Sequence, residues 1–361
     1  MSISLNKSNT QSFFMRLALI QAHKNLGNTK ENPSVGCVIV KKNVLIGAGT
    51  TGANGRPHAE INAMNLAKKK LNGSDLYVTL EPCSHFGKTP PCVNSIIKNK
   101  VRKVFFSIND PDIRSFNKSV AILKNKKISI CKGINFTEAN YFYRSYIKSK
   151  KNTLPFVTCK IAVSKDFFTA SKKSKNITND YSRGRVQLMR SNHDCIMTSS
   201  NTIIKDNPQL TCRIKGLKKM SPSRILLDRK LRIPLNTNIL KESSKFPTII
   251  FYNYANKDKI KRIKKFKVKL FKIPLAEDGY FDLKEVLIKA KELGFFRIFL
   301  ESGVKLTSSF LKHNLVDDLK IFISKNNLGK TGKLNIKKFM DLYLKKKKHV
   351  IERVNLFGET F

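Results

Sequence analysis

The sequence predicts an α/β protein made of two layered domains, and three observations carry the prediction. The chain has 361 residues, more than a single hydrophobic core ordinarily serves. Along nearly all of it, short apolar runs of strand length alternate with segments whose apolar residues recur at helical spacing. Near the middle, the polar, charged stretch Lys148-Ser149-Lys150-Lys151-Asn152-Thr153, followed by Leu154-Pro155, breaks that rhythm. It is read as a linker, giving domains 1–149 and 150–361.

The elements follow in order. Residues 12–26 carry a helical apolar stripe, and Asn32-Pro33 marks a loop. The apolar run Val35 to Val40, a turn at Lys41-Lys42-Asn43 and a second strand from Val44 to Ala48 make a hairpin. A helix over 58–70 precedes a strand from Leu76 to Leu80, which stops at Glu81-Pro82 because proline cannot donate to a ladder. Helices near 91–99, 117–125 and 137–148 then alternate with strands at 103–107 and 128–131. After the linker come strands at 156–163, 194–198, 223–228, 247–252 and 296–301, with helices at 179–191, 282–293 and near 304–313. No internal repeat is visible.

Composition narrows the class. No window is apolar enough for a membrane span, and the polar start of the chain lacks a signal peptide's apolar core, so a soluble cytoplasmic protein is expected. Seven cysteines, an odd number scattered over a long chain, point to reduced thiols rather than a disulfide scaffold. The net charge of +45 comes from 70 Lys and Arg against 25 Asp and Glu. That excess is mostly lysine, spread evenly in a sequence also rich in Asn and Ile, and no basic stripe with interleaved aromatics stands out. It is read as compositional drift rather than a nucleic-acid footprint, and runs such as Lys345 to Lys348 as solvated or fraying ends.

Chemistry concentrates at three residues: His58 in Pro57-His58-Ala59-Glu60, Cys83 in Glu81-Pro82-Cys83, and Cys92 in Pro90-Pro91-Cys92. One imidazole and two thiolates suit Zn2+, and a catalytic zinc keeps three protein ligands and one open position. Glu60, two positions after His58 at a helix start, can reach water at such a site without ligating the metal, so it is the expected proton shuttle. H-x-E followed by P-C and a further cysteine is the pattern of zinc deaminases acting on an exocyclic amine. The other cysteines, Cys37, Cys131, Cys159, Cys195 and Cys212, sit in or beside apolar runs and are expected to pack in cores. Eight residues, Ser84 to Pro91, separate Cys83 from Cys92, where nucleic-acid and nucleoside deaminases commonly use P-C-x-x-C. The insert offers His85, Lys88 and Thr89 to a phosphate or a polar ring.

Asn32 to Val40, Pro57 to Glu60 and the string YVTLEPCSHFGKTPPC (Tyr77 to Cys92) resemble the bifunctional riboflavin biosynthesis family RibD, which joins a pyrimidine deaminase to a pyrimidine reductase. The resemblance implies a cytidine-deaminase-like α/β/α domain followed by a dihydrofolate-reductase-like α/β domain. It implies that 2,5-diamino-6-(5-phosphoribosylamino)pyrimidin-4(3H)-one loses its 2-amino group and that NADPH then reduces the ribosyl chain to ribityl. His58, Cys83 and Cys92 carry over as zinc ligands and Glu60 as proton donor, with Asn32, His85 and Lys88 as candidates for substrate contact. A homo-oligomer acting on a small phosphorylated pyrimidine, with no nucleic acid or membrane partner, is implied too.

The second half shows no G-x-G-x-x-G. Glu301-Ser302-Gly303, between a strand end and a helix start, is a candidate anion site for a cofactor pyrophosphate. Asp206-Asn207-Pro208-Gln209-Leu210-Thr211-Cys212-Arg213 resembles the family's D-N-P-x-L-T-x-R segment. The resemblance assigns Arg213, Arg190, Ser174, Leu210 and Glu301 to substrate, and Ala162, Asn176, Thr202, Asp206 and Gly303 to the cofactor. Two departures stand out. The family's S-x-D-G-[KR] reads Ser164-Lys165-Asp166-Phe167-Phe168 here, and Asn176 replaces a tryptophan, leaving Phe167 or Phe168 as a substitute stacking surface. Two alternatives stay open: a nucleic-acid base deaminase acting on tRNA, and a deaminase-only chain with an impaired reductase half.

Overall fold

In a computed structural model, residues 7–174, 176–344 and 350–351 are described; the lysine run from Lys345 to Lys348 lies outside them. The chain forms two compact units, Met1–Thr153 and Leu154–Phe361.

The first unit runs α1 (Lys7–His23), β1 (Gly36–Lys41), β2 (Val44–Thr50), α2 (Ala59–Ala67), β3 (Asp75–Leu80), α3 (Cys92–Lys98), β4 (Lys103–Ile108), α4 (Lys118–Asn125), β5 (Ser129–Lys132) and α5 (Phe136–Lys151). Its five strands order β2-β1-β3-β4-β5; the β1–β2 and β1–β3 pairs are antiparallel, the β3–β4 and β4–β5 pairs parallel. Cys37, Ile39, Leu76, Val78, Val104 and Phe106 bury one sheet face, and Val38, Val40, Tyr77 and Phe105 the other. Strand alternation therefore feeds two layers, as a sheet covered on both sides requires. Helix α2 turns its buried Ala59, Ala63 and Ala67 toward Gly47 and Gly49 of β2. Small residues on both partners let helix and sheet backbones approach closely.

The stretch expected as a linker is instead helical through Lys151, as the last turns of α5. Phe142 and Tyr143 bury in the core, Tyr146 and Ile147 pack against it, and Lys150 reaches Asp112 at 3.0 Å. The lysines occupy the outer face of an amphipathic helix that is anchored from within.

The second unit continues with β6 (Phe156–Val163), β7 (Phe168–Ser171), α6 (Asp180–Ser191), β8 (Cys195–Ser199), α7 (Ser200–Asp206), β9 (Ser223–Leu227), α8 (Asn238–Lys241) and β10 (Thr248–Tyr252). It ends with α9 (Lys257–Lys264), β11 (Val268–Lys272), α10 (Leu283–Glu292), β12 (Arg297–Glu301), α11 (Val304–Lys312), β13 (Asp318–Ile323), β14 (Gly332–Asn335) and α12 (Lys337–Leu344). A parallel seven-stranded sheet orders β11-β10-β9-β8-β12-β6-β13, and β7 and β14 form a separate antiparallel ribbon. Cys159 and Cys195 are buried in one apolar layer of this sheet, and Cys37 in the first unit's core; Cys212 is buried as well, whereas Cys131 on edge strand β5 is only half-buried.

Among the described residues no helix is long and apolar enough to cross a membrane.

Candidate metal centre and reductase site

In the first unit, three backbone ends converge. His58 is the N-cap of α2, in extended conformation after Pro57. Cys83 follows the end of β3, and Cys92 opens α3 directly after its N-cap Pro91. The ligand atoms of His58, Cys83 and Cys92 all lie within 4.8 Å of one another. The His58 Nδ1 is 3.2 Å from the Cys92 sulfur and 3.5 Å from the Cys83 sulfur. Tetrahedral zinc with bonds of about 2.0–2.3 Å sets ligand-to-ligand edges near 3.3–3.8 Å, so the donor set fits that ion. The Cys92 N–H donates to the Cys83 sulfur at 3.2 Å. Hydrogen bonding from the Cys92 thiol, opposed by burial and reinforced by His58, pushes the Cys83 thiol down to about 4. The same hydrogen bond, together with burial, pushes the Cys92 thiol up. Burial alone would lower the His58 imidazole, but Cys83 and Glu60 hold it above its ordinary value.

Glu60 lies in the first turn of α2 and is 3% exposed. Burial pushes its carboxyl above the usual carboxylate range against the attraction of His58. A carboxyl whose burial favours its protonated form suits a group that takes up a proton and hands it on.

The insert is tied to the loop after β4. The His85 Nδ1 lies 2.9 Å from the Ser115 hydroxyl, while Lys88 is exposed. Buried Glu81 organises that loop, accepting from the Asn109 side chain, the Asp110 and Asn117 N–H groups and the Ser119 hydroxyl. Asp110 accepts from the Tyr146 hydroxyl at 3.0 Å, and burial raises its carboxyl to about 6. Asn32 packs against Gly55, where φ is +88° and an added Cβ would stand 2.2 Å from its Nδ2. Glu81, Asp110 and Ser115 carry no local sequence mark of this role, save that Glu81 is an acid immediately after a strand.

In the second unit, Arg190 and Glu301 meet in a two-pronged ion pair, Nε to Oε2 and Nη2 to Oε1 both at 2.9 Å, and the Arg190 Nη1 donates to the Thr211 carbonyl at 2.9 Å. Burial would raise the Glu301 carboxyl, but Arg190 and Lys160 hold it below its ordinary value. Lys160 stands opposite Glu301 in the β6–β12 register. Leu210 is buried in the left-handed region, φ +56°. Arg213 is exposed, its N–H bonded to the Gln187 side chain and its Nη1 3.5 Å from Gln209 Oε1. Thr202 bonds the Ser199 N-cap of α7, and exposed Asp206 ends that helix. Gly303 caps α11 with open space around its Cα, half-buried Ala162 lies on β6, and Ser174 donates to the Asn176 carbonyl in an exposed loop.

The rings expected as a substitute stacking surface are both engaged elsewhere. Phe167 packs on the cluster of Ile161, Val163, Ile336 and Met340, and the Phe168 ring lies where a Gly332 Cβ would stand 2.3 Å away. Both are half-buried. The Phe167 φ is +65°, the conformation for which glycine is favoured.

Known proteins align with this arrangement. The family description "cytidine and deoxycytidylate deaminase zinc-binding region" matches residues 8–108, and "RibD C-terminal domain" matches 155–354. The riboflavin biosynthesis protein RibD of Bacillus amyloliquefaciens is 35% identical over 325 residues, 89% of this chain and 86% of its own. The Aquifex aeolicus RibD is 35% identical over 341 residues, 93% of this chain and 94% of its own. The Thermotoga maritima diaminohydroxyphosphoribosylaminopyrimidine deaminase/5-amino-6-(5-phosphoribosylamino)uracil reductase superposes with a TM-score of 0.81 at 30% identity, covering 98% of each chain. The Acinetobacter baumannii RibD gives 0.78 at 32% identity over 91% of this chain and 90% of its own. With a zinc-type donor set in one unit, a parallel reductase sheet in the other and relatives matched over nearly their whole length, the chain belongs to the RibD family of riboflavin biosynthesis proteins.

Proposed function

We propose that the chain carries out two consecutive steps of riboflavin biosynthesis. The first unit, Met1–Thr153, hydrolyses the 2-amino group of 2,5-diamino-6-(5-phosphoribosylamino)pyrimidin-4(3H)-one. The second, Leu154–Phe361, reduces the ribosyl chain to give 5-amino-6-(5-phosphoribitylamino)uracil. The observation that carries this reading is the buried Glu60 carboxyl beside the convergence of His58, Cys83 and Cys92.

Zinc held by those three side chains would supply a Lewis acid that makes water nucleophilic near neutral pH. Glu60 takes the proton from that water, places it on the ring nitrogen beside the carbon under attack, and passes a proton to the departing amine. Water is consumed and ammonia leaves. Asn32, His85 and Lys88 orient the substrate from the rim.

In the second domain NADPH would supply the hydride. Gly303 at the start of α11, with Thr202, Asp206, Ala162 and Asn176, would hold it, the open approach at Gly303 fitting a pyrophosphate. Arg213, exposed and bonded through its N–H to Gln187 of α6, the helix that carries Arg190, receives the substrate phosphate, with Leu210 and Ser174 completing the wall. The reading makes the protein a cytoplasmic homo-oligomer working on a small molecule. One observation favours an intact reductase over a deaminase-only chain. The turn from Ser164 to Phe168 keeps its hydrogen bonds, Phe167 N–H to the Ser164 carbonyl and Phe168 N–H to its hydroxyl, despite the missing glycine.

The test is to incubate zinc-loaded protein with the diaminopyrimidine ribotide and follow products by mass, first without and then with NADPH. Deamination alone, then ribityl product with oxidation of NADPH, is expected. A chain that leaves this substrate untouched and deaminates tRNA overturns the reading.

A further inference from the structure

We infer that Arg56 is a specificity-determining residue of the deaminase site that receives the phosphate of the substrate; this rests on the phosphorylated-pyrimidine reading above. Arg56 stands two residues before His58. Its Nε and Nη1 are sealed from solvent, and neither has a hydrogen-bond partner. Its Nη2 lies against the insert, 3.4 Å from where a Cβ on Gly87 would stand.

A guanidinium that merely braced the insert would spend its donors on the carbonyls of that loop, and these two donors are unspent. They are not alone. The Ser84 hydroxyl, in the same insert, and the Asn28 Nδ2 are also buried without a partner. Asn28 belongs to this locality, since its carbonyl accepts from Asn54 N–H at 2.8 Å, two residues before Arg56. Arg56 is half-buried, so its charge is partly desolvated at a cost, and its unmatched buried donors add to that cost. A ligand that brings several anionic oxygens relieves both at once, and a phosphate monoester matches guanidinium geometry. Exposed Lys88, next to Gly87, adds a second cation on the same loop.

The test compares wild type, Arg56→Gln and Arg56→Lys as full-length, zinc-loaded protein. The measurement is kcat/KM for deamination of the ribotide and of its dephosphorylated riboside, with zinc content and thermal midpoint as controls for folding. The preference for the phosphorylated substrate should fall at least tenfold in Arg56→Gln, through KM, and recover in part in Arg56→Lys. An unchanged preference, or an equal loss on both substrates, overturns the inference. If Arg56→Gln fails to hold zinc, the Arg56→Lys preference decides: a fall below wild type sustains the inference and equality overturns it. If wild type deaminates neither compound, the proposed function falls, and Arg56 is judged by calorimetric titration with inorganic phosphate. A binding event lost in Arg56→Gln then sustains the anion role, and identical isotherms overturn it.

Discussion

Replacing Gly49 with alanine tests whether the close seating of α2 on β2 is what positions the catalytic residues. A Cβ at Gly49 would stand 2.4 Å from the Ala59 carbonyl oxygen and 2.4 Å from the Ala63 nitrogen, both backbone atoms that cannot rotate away. Ordinary contact begins at 3.4 Å, so α2 must retreat by about 1 Å. Ala59 lies between His58 and Glu60, so the retreat moves the proposed metal ligand and the proposed proton shuttle together. Overpacking of this kind costs about 1–3 kcal/mol, and a displacement of about 1 Å at reacting groups costs on the order of 100-fold in rate. The assay reads deamination rate, zinc content and denaturant stability, with NADPH oxidation in the same chain as an internal control. Deamination should drop about 100-fold while reduction holds, because the second unit has its own sheet and core. Gly49→Ala with wild-type zinc content and deamination would refute the reasoning.

Glu60→Gln should retain zinc, measured by metal analysis, and lose deamination by roughly 100- to 10,000-fold; activity near wild type would remove Glu60 from proton transfer. Arg213→Ala should raise KM for the reductase substrate while NADPH affinity, measured by fluorescence titration, stays put; an unaltered KM takes Arg213 out of the site. Gly184→Ala, in α6 with nothing within 4 Å of the added methyl, should stabilise the second unit by up to about 1 kcal/mol in denaturant melts; destabilisation would show unseen crowding. Half-buried Asp194 is raised by desolvation to about 6 from 3.8, against the N–H groups of Phe296 and Arg297. The folded state thus holds that proton more tightly than the unfolded one. Wild-type stability relative to Asp194→Asn should therefore grow as pH falls from about 6 to about 4, by at most about 3 kcal/mol, and level off below. Parallel stability–pH curves for the two proteins would contradict this.

The metal centre was legible because its marks are local: His58 and Glu60 share a helix start, and prolines precede both cysteines. Its supports were not. Glu81 and Asp110 act through folding of the 109–119 loop, which no local pattern announces. The proposed reductase site draws on α6, the end of β12 and the loop after α7, so its Arg190–Glu301 pair joins residues far apart in sequence. Strands β11 and β13 escaped notice because they are sheet edges whose residues are mostly half-buried, with lysines such as Lys269 and Lys320 interrupting the apolar signal. Lysine also hid the end of α5, where the pattern of Phe142, Tyr143 and Tyr146 outweighs the charged face. The broad alternation of strands and helices shows through the lysine content because the buried positions are largely Ile, Leu, Val and Phe.

The turn from Ser164 to Phe168 shows what such drift can spare. Asp166 accepts from Leu328 N–H at 3.0 Å and Gly329 N–H at 2.8 Å, and the Asn335 side chain donates to its carbonyl. The loop's shape is thus written in its acceptors, and the residue at its crest is left free to wander. A side chain at the crest costs this turn only a little torsional discomfort, whereas an exchange at Asp166 would unfasten the ribbon it moors.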